Sequence, residues 1–156
     1  MTAFNIMSRK ELVVSALENG TVLDHIPAEN VYKALDILNL KGIENQITIG
    51  INLASKAQGK KGIIKIENKF FEDDELNKLA LLAPNATINI IRNFKVVEKK
   101  KIVMPEEVVG VAKCMNPKCV TNHQPIKTRF KVKAKGQEIS LLCHFCEKVS
   151  DTKGIF

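Results

Sequence analysis

The chain has 156 residues, 45% of them hydrophobic, four cysteines and a formal charge of +7. That length and apolar content suit one average domain or two small ones and exclude a disordered chain. No apolar run approaches the ~18 residues that span a bilayer, and MTAFNIMSRK (1–10) lacks the apolar stretch and cleavage site of a secretory leader, so a cytoplasmic protein with no membrane partner is expected, its cysteines holding metal rather than disulfides.

KELVVSAL (10–17) is rich in β-branched residues and runs to Asn19-Gly20, which predicts a strand ending in a turn. VLDHI (22–26) leads into Pro27, which suits the first turn of a helix because it has no N–H to lose there. Ala28, Val31, Leu35 and Leu38 recur at helical spacing as one buried stripe, and Asn39 and Gly42 end the helix. QITIGINL (46–53) alternates: Ile47, Ile49, Ile51 and Leu53 face one way, and Gln46, Thr48, Gly50 and Asn52 the other, as in a half-buried strand.

A lysine- and glycine-containing loop (55–62) leads to a second strand, GIIKIEN (62–68). Glu72, Asp73, Asp74 and Glu75 crowd the start of the next helix, where the helix dipole favours negative charge. Leu76, Leu79, Ala80 and Ala83 form its apolar stripe, and Pro84 stops it. ATINIIRNFKVV (86–97) predicts one further strand, kinked near Asn93. Strand, helix, strand, strand, helix, strand is the split β-α-β order of an α+β, ferredoxin-like domain. Two helices would cover one face of its antiparallel sheet. The other face, with Lys65 and Asn89, is left for a ligand or for solvent.

Glu98-Lys99-Lys100-Lys101, with Pro105 following, is a charged, turn-prone stretch and marks the expected boundary between domains 1–100 and 101–156. Lys and Arg number 14 against 12 acidic residues before it, a net of +2, and 10 against 5 after it, a net of +5. Beyond the boundary, TRFKVKA (128–134) and EISLLC (138–143) predict two strands joined at Lys135-Gly136-Gln137.

Cys114, Cys119, Cys143 and Cys146 form a C-x4-C pair and a C-x2-C pair separated by that hairpin. Four thiolates suit one zinc ion in a closed, tetrahedral, structural site with no position left for substrate. A domain of about fifty residues buries too little surface to be comfortable alone, and metal binding supplies folding energy. Asn116 and Pro117 fit a tight turn inside the first pair. His144 and His123 are expected to stay outside the ligand set. The chain has no GxxxxGK[ST], no GxGxxG and no serine in a nucleophile context, so nothing proposes a catalytic site.

GTVLDHIPA (20–28), ITIGINL (47–53), IKIEN (64–68) and LALLAPNATIN (79–89), followed by the two cysteine pairs, resemble the aspartate carbamoyltransferase regulatory chains, from about residue 11 to about residue 150. The resemblance implies a non-catalytic subunit of the enzyme that commits carbamoyl phosphate and aspartate to pyrimidine synthesis. It implies CTP as inhibitor and ATP as activator on the N-terminal domain, a homodimer of regulatory chains through that domain, and docking of the zinc domain on the catalytic chain.

Carried over by position, the resemblance implies Val14, Leu17 and Val22 around the base, and Asp24 and Lys65 at the ribose. It implies His25, Asn89 and Lys99 near the phosphates, with Ile91, Phe94 and Val96 on the adjoining strand. Lysines supply point charges for a triphosphate where no glycine-rich loop exists. Phe94 stands where the family has a tyrosine and Ser15 where it has an acidic residue, departures that bear on the balance between CTP and ATP. A zinc-ribbon nucleic-acid binder is the rival reading, carried by Arg129, Lys131, Lys133 and Lys135. Aromatic residues are only 5% of the chain, leaving few stacking platforms, and these lysines alternate as on a solvated strand face, so no nucleic-acid partner is expected.

Overall fold

The computed structural model describes residues 17–57, 59–136 and 138–153. Apart from Leu17, the strand expected over 10–17 lies outside the described residues. Strands β1 (Gly20–Pro27), β2 (Ile47–Ser55), β3 (Gly59–Glu67), β4 (Thr87–Arg92) and β5 (Lys95–Lys101) form one sheet in the order β2-β3-β1-β4-β5, every pair antiparallel. Its first four strands and two helices have the expected ferredoxin-like arrangement, with β1 at the centre.

β1 explains how the two faces differ. Thr21 and Leu23 point to the helical side and are fully buried, whereas Val22 and Asp24 alternate onto the open side. Strict alternation would then turn Ile26 outward. A bulge between Leu23 and Ile26, with His25 at φ 59°, returns Ile26 to the core at 0% exposure. The bulge thereby presents Asp24 and His25 side by side at one end of the strand.

A 3-10 turn (Ala28–Asn30) opens helix α1 (Val31–Ile37). Val31, Ala34, Leu35 and Leu38 are buried on the sheet. Ala28 is only half-buried, and Ala34 takes its expected place in the stripe. The acidic cluster does start helix α2 (Asp73–Asn77): Glu72 is the N-cap, and its backbone N–H donates to Glu75 Oε2 at 2.8 Å, closing a capping box. A 3-10 turn (Lys78–Leu81) continues α2. Leu76, Leu79, Ala80 and Ala83 join the sheet core as expected, whereas Leu81, in the same 3-10 turn as Leu79 and Ala80, belongs to a different cluster.

The single kinked strand expected over 86–97 is instead a hairpin. Asn93 and Phe94 both have positive φ, 49° and 64°, as in a two-residue type I′ turn, so the chain reverses and β5 pairs back on β4. Residues 98–101 are accordingly the end of β5 rather than a linker; Glu98 lies opposite Ile90 and Lys101 opposite Thr87.

The second sheet contains β6 (Glu107–Val109), β7 (Arg129–Lys135), β8 (Glu138–Cys143) and β9 (Val149–Asp151), in chain order and antiparallel. Its core is Val108, Phe130 and Leu141 with the cysteines, and Leu81 of the first unit belongs to it. Met104 packs against both cores. The Val103 N–H donates to Asn77 Oδ1 at 3.1 Å, so α2 is tied to the segment joining the sheets.

Gly62 marks where α1 meets the sheet most closely: a Cβ there would lie 2.1 Å from Val31 Cγ2, and valine is stiff at χ1. Gly62→Ala is therefore expected to cost about 1–3 kcal/mol by overpacking. Urea unfolding checks this, as a lowered midpoint with an unchanged slope and unchanged metal content.

Candidate functional site

The structure brings the four cysteines together. Cys114 and Cys119 flank a loop turned by Asn116, whose Oδ1 accepts the Lys118 N–H at 3.1 Å and whose carbonyl accepts the Cys119 N–H at 3.0 Å. Cys143 ends β8, and Cys146 lies in the turn beyond it. The Glu147 N–H closes that turn on the Cys143 carbonyl at 2.9 Å, with Glu147 at φ 60°.

The four sulfurs lie within 4.8 Å of one another. Cys114 Sγ is 3.7 Å from Cys146 Sγ, and Cys119 Sγ is 3.8 Å from Cys143 Sγ. These separations far exceed the ~2.05 Å of a disulfide. They match the edge of about 3.8 Å that a tetrahedron with ~2.3 Å metal–sulfur bonds requires.

Burial pushes the Cys114 thiol up to about 12 and raises that of Cys143. The Thr121 hydroxyl, 3.2 Å from Cys119 Sγ, lowers Cys119. At Cys146, burial also opposes ionisation, but the Asn116 side chain, the Lys148 backbone and the neighbouring thiols bring it down to about 7. A divalent cation at the centre removes the conflict, because each thiolate then faces opposite charge at bond distance. The donor set thus fits a soft or borderline metal in a closed site. Among the described residues His144 is exposed, its ring against Phe145, and His123 Nε2 meets the Pro117 carbonyl at 2.7 Å; both stand outside the ligand group.

The other expected site lies on the open face of the first sheet. Register sets Thr48 opposite Lys65, Lys65 opposite Val22, Val22 opposite Asn89 and Asn89 opposite Lys99. One row therefore crosses all five strands. A second row beside it runs Glu67, Gly20, Ile91, Val96. Lys65 is only 6% exposed, and burial lowers its pKa below the usual lysine value, with the charge of Asp24 offsetting part of the effect. A cleft of about 280 Å³ opens beside it, lined by Leu17, Glu18, Gln46, Thr48, Lys65, Glu67 and Phe94. Phe94 and Val96 are exposed, and Ile91 is nearly covered.

Asp24 and His25 lie beyond Lys65, at the bulge. Asp24 grips Lys61 Nζ through both oxygens, at 2.8 and 3.0 Å, and accepts the His25 N–H at 2.6 Å. His25 Nδ1 lies 3.2 Å from Thr87 Oγ1. The expected residues thus divide into a cleft group (Leu17, Lys65, Phe94), the strand rows (Val22, Asn89, Ile91, Val96, Lys99) and the bulge pair; Val14 lies outside the described residues. Gln46, Thr48, Glu67, Lys61 and Thr87 were not expected. Gln46 and Thr48 did carry a signal, being the polar side of the alternating strand. Lys61 and Thr87 meet Asp24 and His25 only through strand pairing.

The family model described as "Aspartate carbamoyltransferase regulatory chain, allosteric domain" matches residues 12–103. The one described as "Aspartate carbamoyltransferase regulatory chain, metal binding domain" matches residues 106–156. Similar curated proteins bear the name aspartate carbamoyltransferase regulatory chain. That of Parabacteroides distasonis is 51% identical over 142 residues, 90% of each chain. That of Porphyromonas gingivalis is 47% identical over 142 residues, covering 91% of this chain and 93% of its own. That of Thermococcus sibiricus is 49% identical over 142 residues, again covering 91% and 93%.

Stripping the metal with a strong chelator is expected to unfold residues 107–151 and leave the first sheet standing, since among the described residues Met104 is the one side chain that packs against both cores. Hydrogen exchange checks it: protection should vanish from β6–β9 and persist in β1, β3 and β4.

Proposed function

We propose, for a chain that belongs to the family of aspartate carbamoyltransferase regulatory chains, that CTP as inhibitor and ATP as activator compete for one site on the open face of its N-terminal sheet. The chain is a regulatory, non-catalytic subunit. In this reading residues 1–100 sense the effector, and residues 101–156 hold one structural zinc ion and dock on the catalytic chain of pyrimidine biosynthesis. Regulatory chains pair as a homodimer through the N-terminal domain, where β2 leaves one edge of the sheet unpaired among the described residues and Ile49 is 40% exposed. The chain works in the cytoplasm, and no described helix is long and apolar enough to cross a membrane.

The observation that carries the reading is the row Lys65, Val22, Asn89, Lys99 beside the cleft. Apolar Val22, Ile91, Val96, Leu17 and Phe94 suit the faces of a base. Lys65, Asn89 and Lys99 suit ribose and phosphate oxygens, and an anion beside the desolvated Lys65 offsets its burial cost. Asp24, positioned by Lys61, serves with Lys65 at the ribose, and His25 serves at the phosphate end. Without a tyrosine hydroxyl at Phe94, that edge of the base is held by contact area rather than by a hydrogen bond. The cysteine geometry supports zinc, since Zn²⁺ accepts four thiolates without geometric preference of its own.

An effector shifts an enzyme only through differential affinity for two assembled states. Here the helices under the sheet reach the zinc domain through Leu81, Met104 and the Asn77–Val103 bond, and these contacts make a mechanical link between effector and catalytic chain.

Calorimetric titration tests the site. CTP should displace ATP mole for mole. Lys65→Ala should weaken both by roughly 1.5–3 kcal/mol, about ten- to a hundredfold, with zinc content and assembly unchanged. Lys99→Ala should penalise triphosphates more than nucleosides. Equal affinities in wild type and Lys65→Ala would remove Lys65 from the site, and no CTP or ATP binding by the wild type would discard the reading.

A further inference from the structure

The two cysteine pairs are closed by different means. The C-x2-C pair closes through its own backbone, by the Glu147 N–H on Cys143 and the Cys143 N–H on the Lys148 carbonyl at 3.0 Å. The C-x4-C loop is longer, and its backbone bond from Cys119 reaches only Asn116, leaving the first ligand outside the turn. Asn122 bridges that gap. Its Nδ2 donates to the Cys114 carbonyl at 3.0 Å and to the Asn116 carbonyl at 2.7 Å. Both partners only accept, so the side chain must present its NH2 to them. A carboxamide is the one uncharged side chain with two hydrogens on a single nitrogen.

Asn122 is itself anchored to the second ligand of the pair. It lies in the 3-10 turn Val120–Asn122, and its backbone N–H donates to the Cys119 carbonyl at 3.0 Å. The side chain therefore ties the turn that carries Cys119 back to the residue that carries Cys114.

We infer that Asn122 is a positioning residue for the metal, a clamp that holds Cys114 and Cys119 at bonding distance from a common centre. The inference rests on the metal reading of the four cysteines and adds an asymmetry to it. The Cys143–Cys146 turn is closed by backbone bonds, whereas across the Cys114–Cys119 loop the bond to the first ligand's carbonyl comes from a side chain eight residues away. Loss of the clamp opens the site from one side. In the intact chain Cys146 is the half-buried sulfur and the other three are buried, so an alkylating reagent reaches Cys146 first.

The test uses the full-length, zinc-loaded chain with Asn122→Ala and with Asn122→Leu, which keeps the volume and removes the donors. Zinc transfer to an excess of chromogenic chelator is timed, and iodoacetamide labelling of each cysteine is mapped by mass spectrometry. Both variants should release zinc about ten- to a hundredfold faster, as loss of a group that orients metal ligands does elsewhere. The first alkylation should move from Cys146 to Cys114 or Cys119. Unchanged release in both variants, or equal acceleration at all four cysteines, would overturn the clamp, the second result marking general loosening of the domain. A wild-type chain that purifies folded but without zinc would instead overturn the metal reading beneath it.

Discussion

Four sulfur atoms held within 4.8 Å of one another are the constraint on which the C-terminal half depends. Four thiolates at that spacing repel, and four neutral thiols, three of them buried, gain little from one another. A cation turns the same geometry into a cross-link between two chain segments. The apolar core around it is small, built on Val108, Phe130 and Leu141, with Leu81 lent by the other sheet's helix. Metal binding thus stabilises the second sheet and, by completing that core, seats the second unit against the first.

The first sheet has two faces with separate partners. One carries α1 and α2; the other carries Lys65, Val22, Asn89 and Lys99 in a row. Through the row, side chains alternate between the two faces, so a ligand on the open face and a domain under the helices act on opposite sides of one layer of backbone. The ties that α2 makes, to β5 of its own sheet and to the segment joining the sheets, are unequal. Lys100 pairs with Asp73 at 2.5 Å, and that bond raises the lysine's pKa, yet Asp73 is 76% exposed and such a pair contributes little. Leu81, Met104 and the Asn77–Val103 bond are the stiffer connection, because close-packed side chains resist sliding where a solvated ion pair yields.

Much of this was legible in the residues for physical reasons. Cysteine pairs at short spacing point to metal because two sulfurs a few residues apart can reach one ion without a fold to bring them together. The stripes Leu76, Leu79, Ala80, Ala83 and Val31, Leu35, Leu38 reached the core because helical period is local. Three features were not legible. The β4–β5 turn has Phe94 where the usual Asn-Gly signal has glycine, so the hairpin reads as one strand. Leu81 belongs to the core of the second sheet although it lies in the first unit, a partner that no helical stripe reveals. Lys61 reaches Asp24 only through the register of β1 on β3, which no local pattern encodes. The row proposed for the effector rests on family resemblance; singly, Lys65, Asn89 and Lys99 look like solvated strand residues.

In the proposed mechanism, events on the open face of the first sheet are felt in the metal domain. Hydrogen exchange on the chain assembled with its catalytic partner, with and without saturating CTP, measures this most directly. Coupling of this kind gives altered protection in β1, β4 and β5 and also in residues 103–112 and β7, with the second set of changes lost in Leu81→Ala while CTP affinity is kept. Changes confined to the first sheet, with the metal domain exchanging identically in both states, would contradict it.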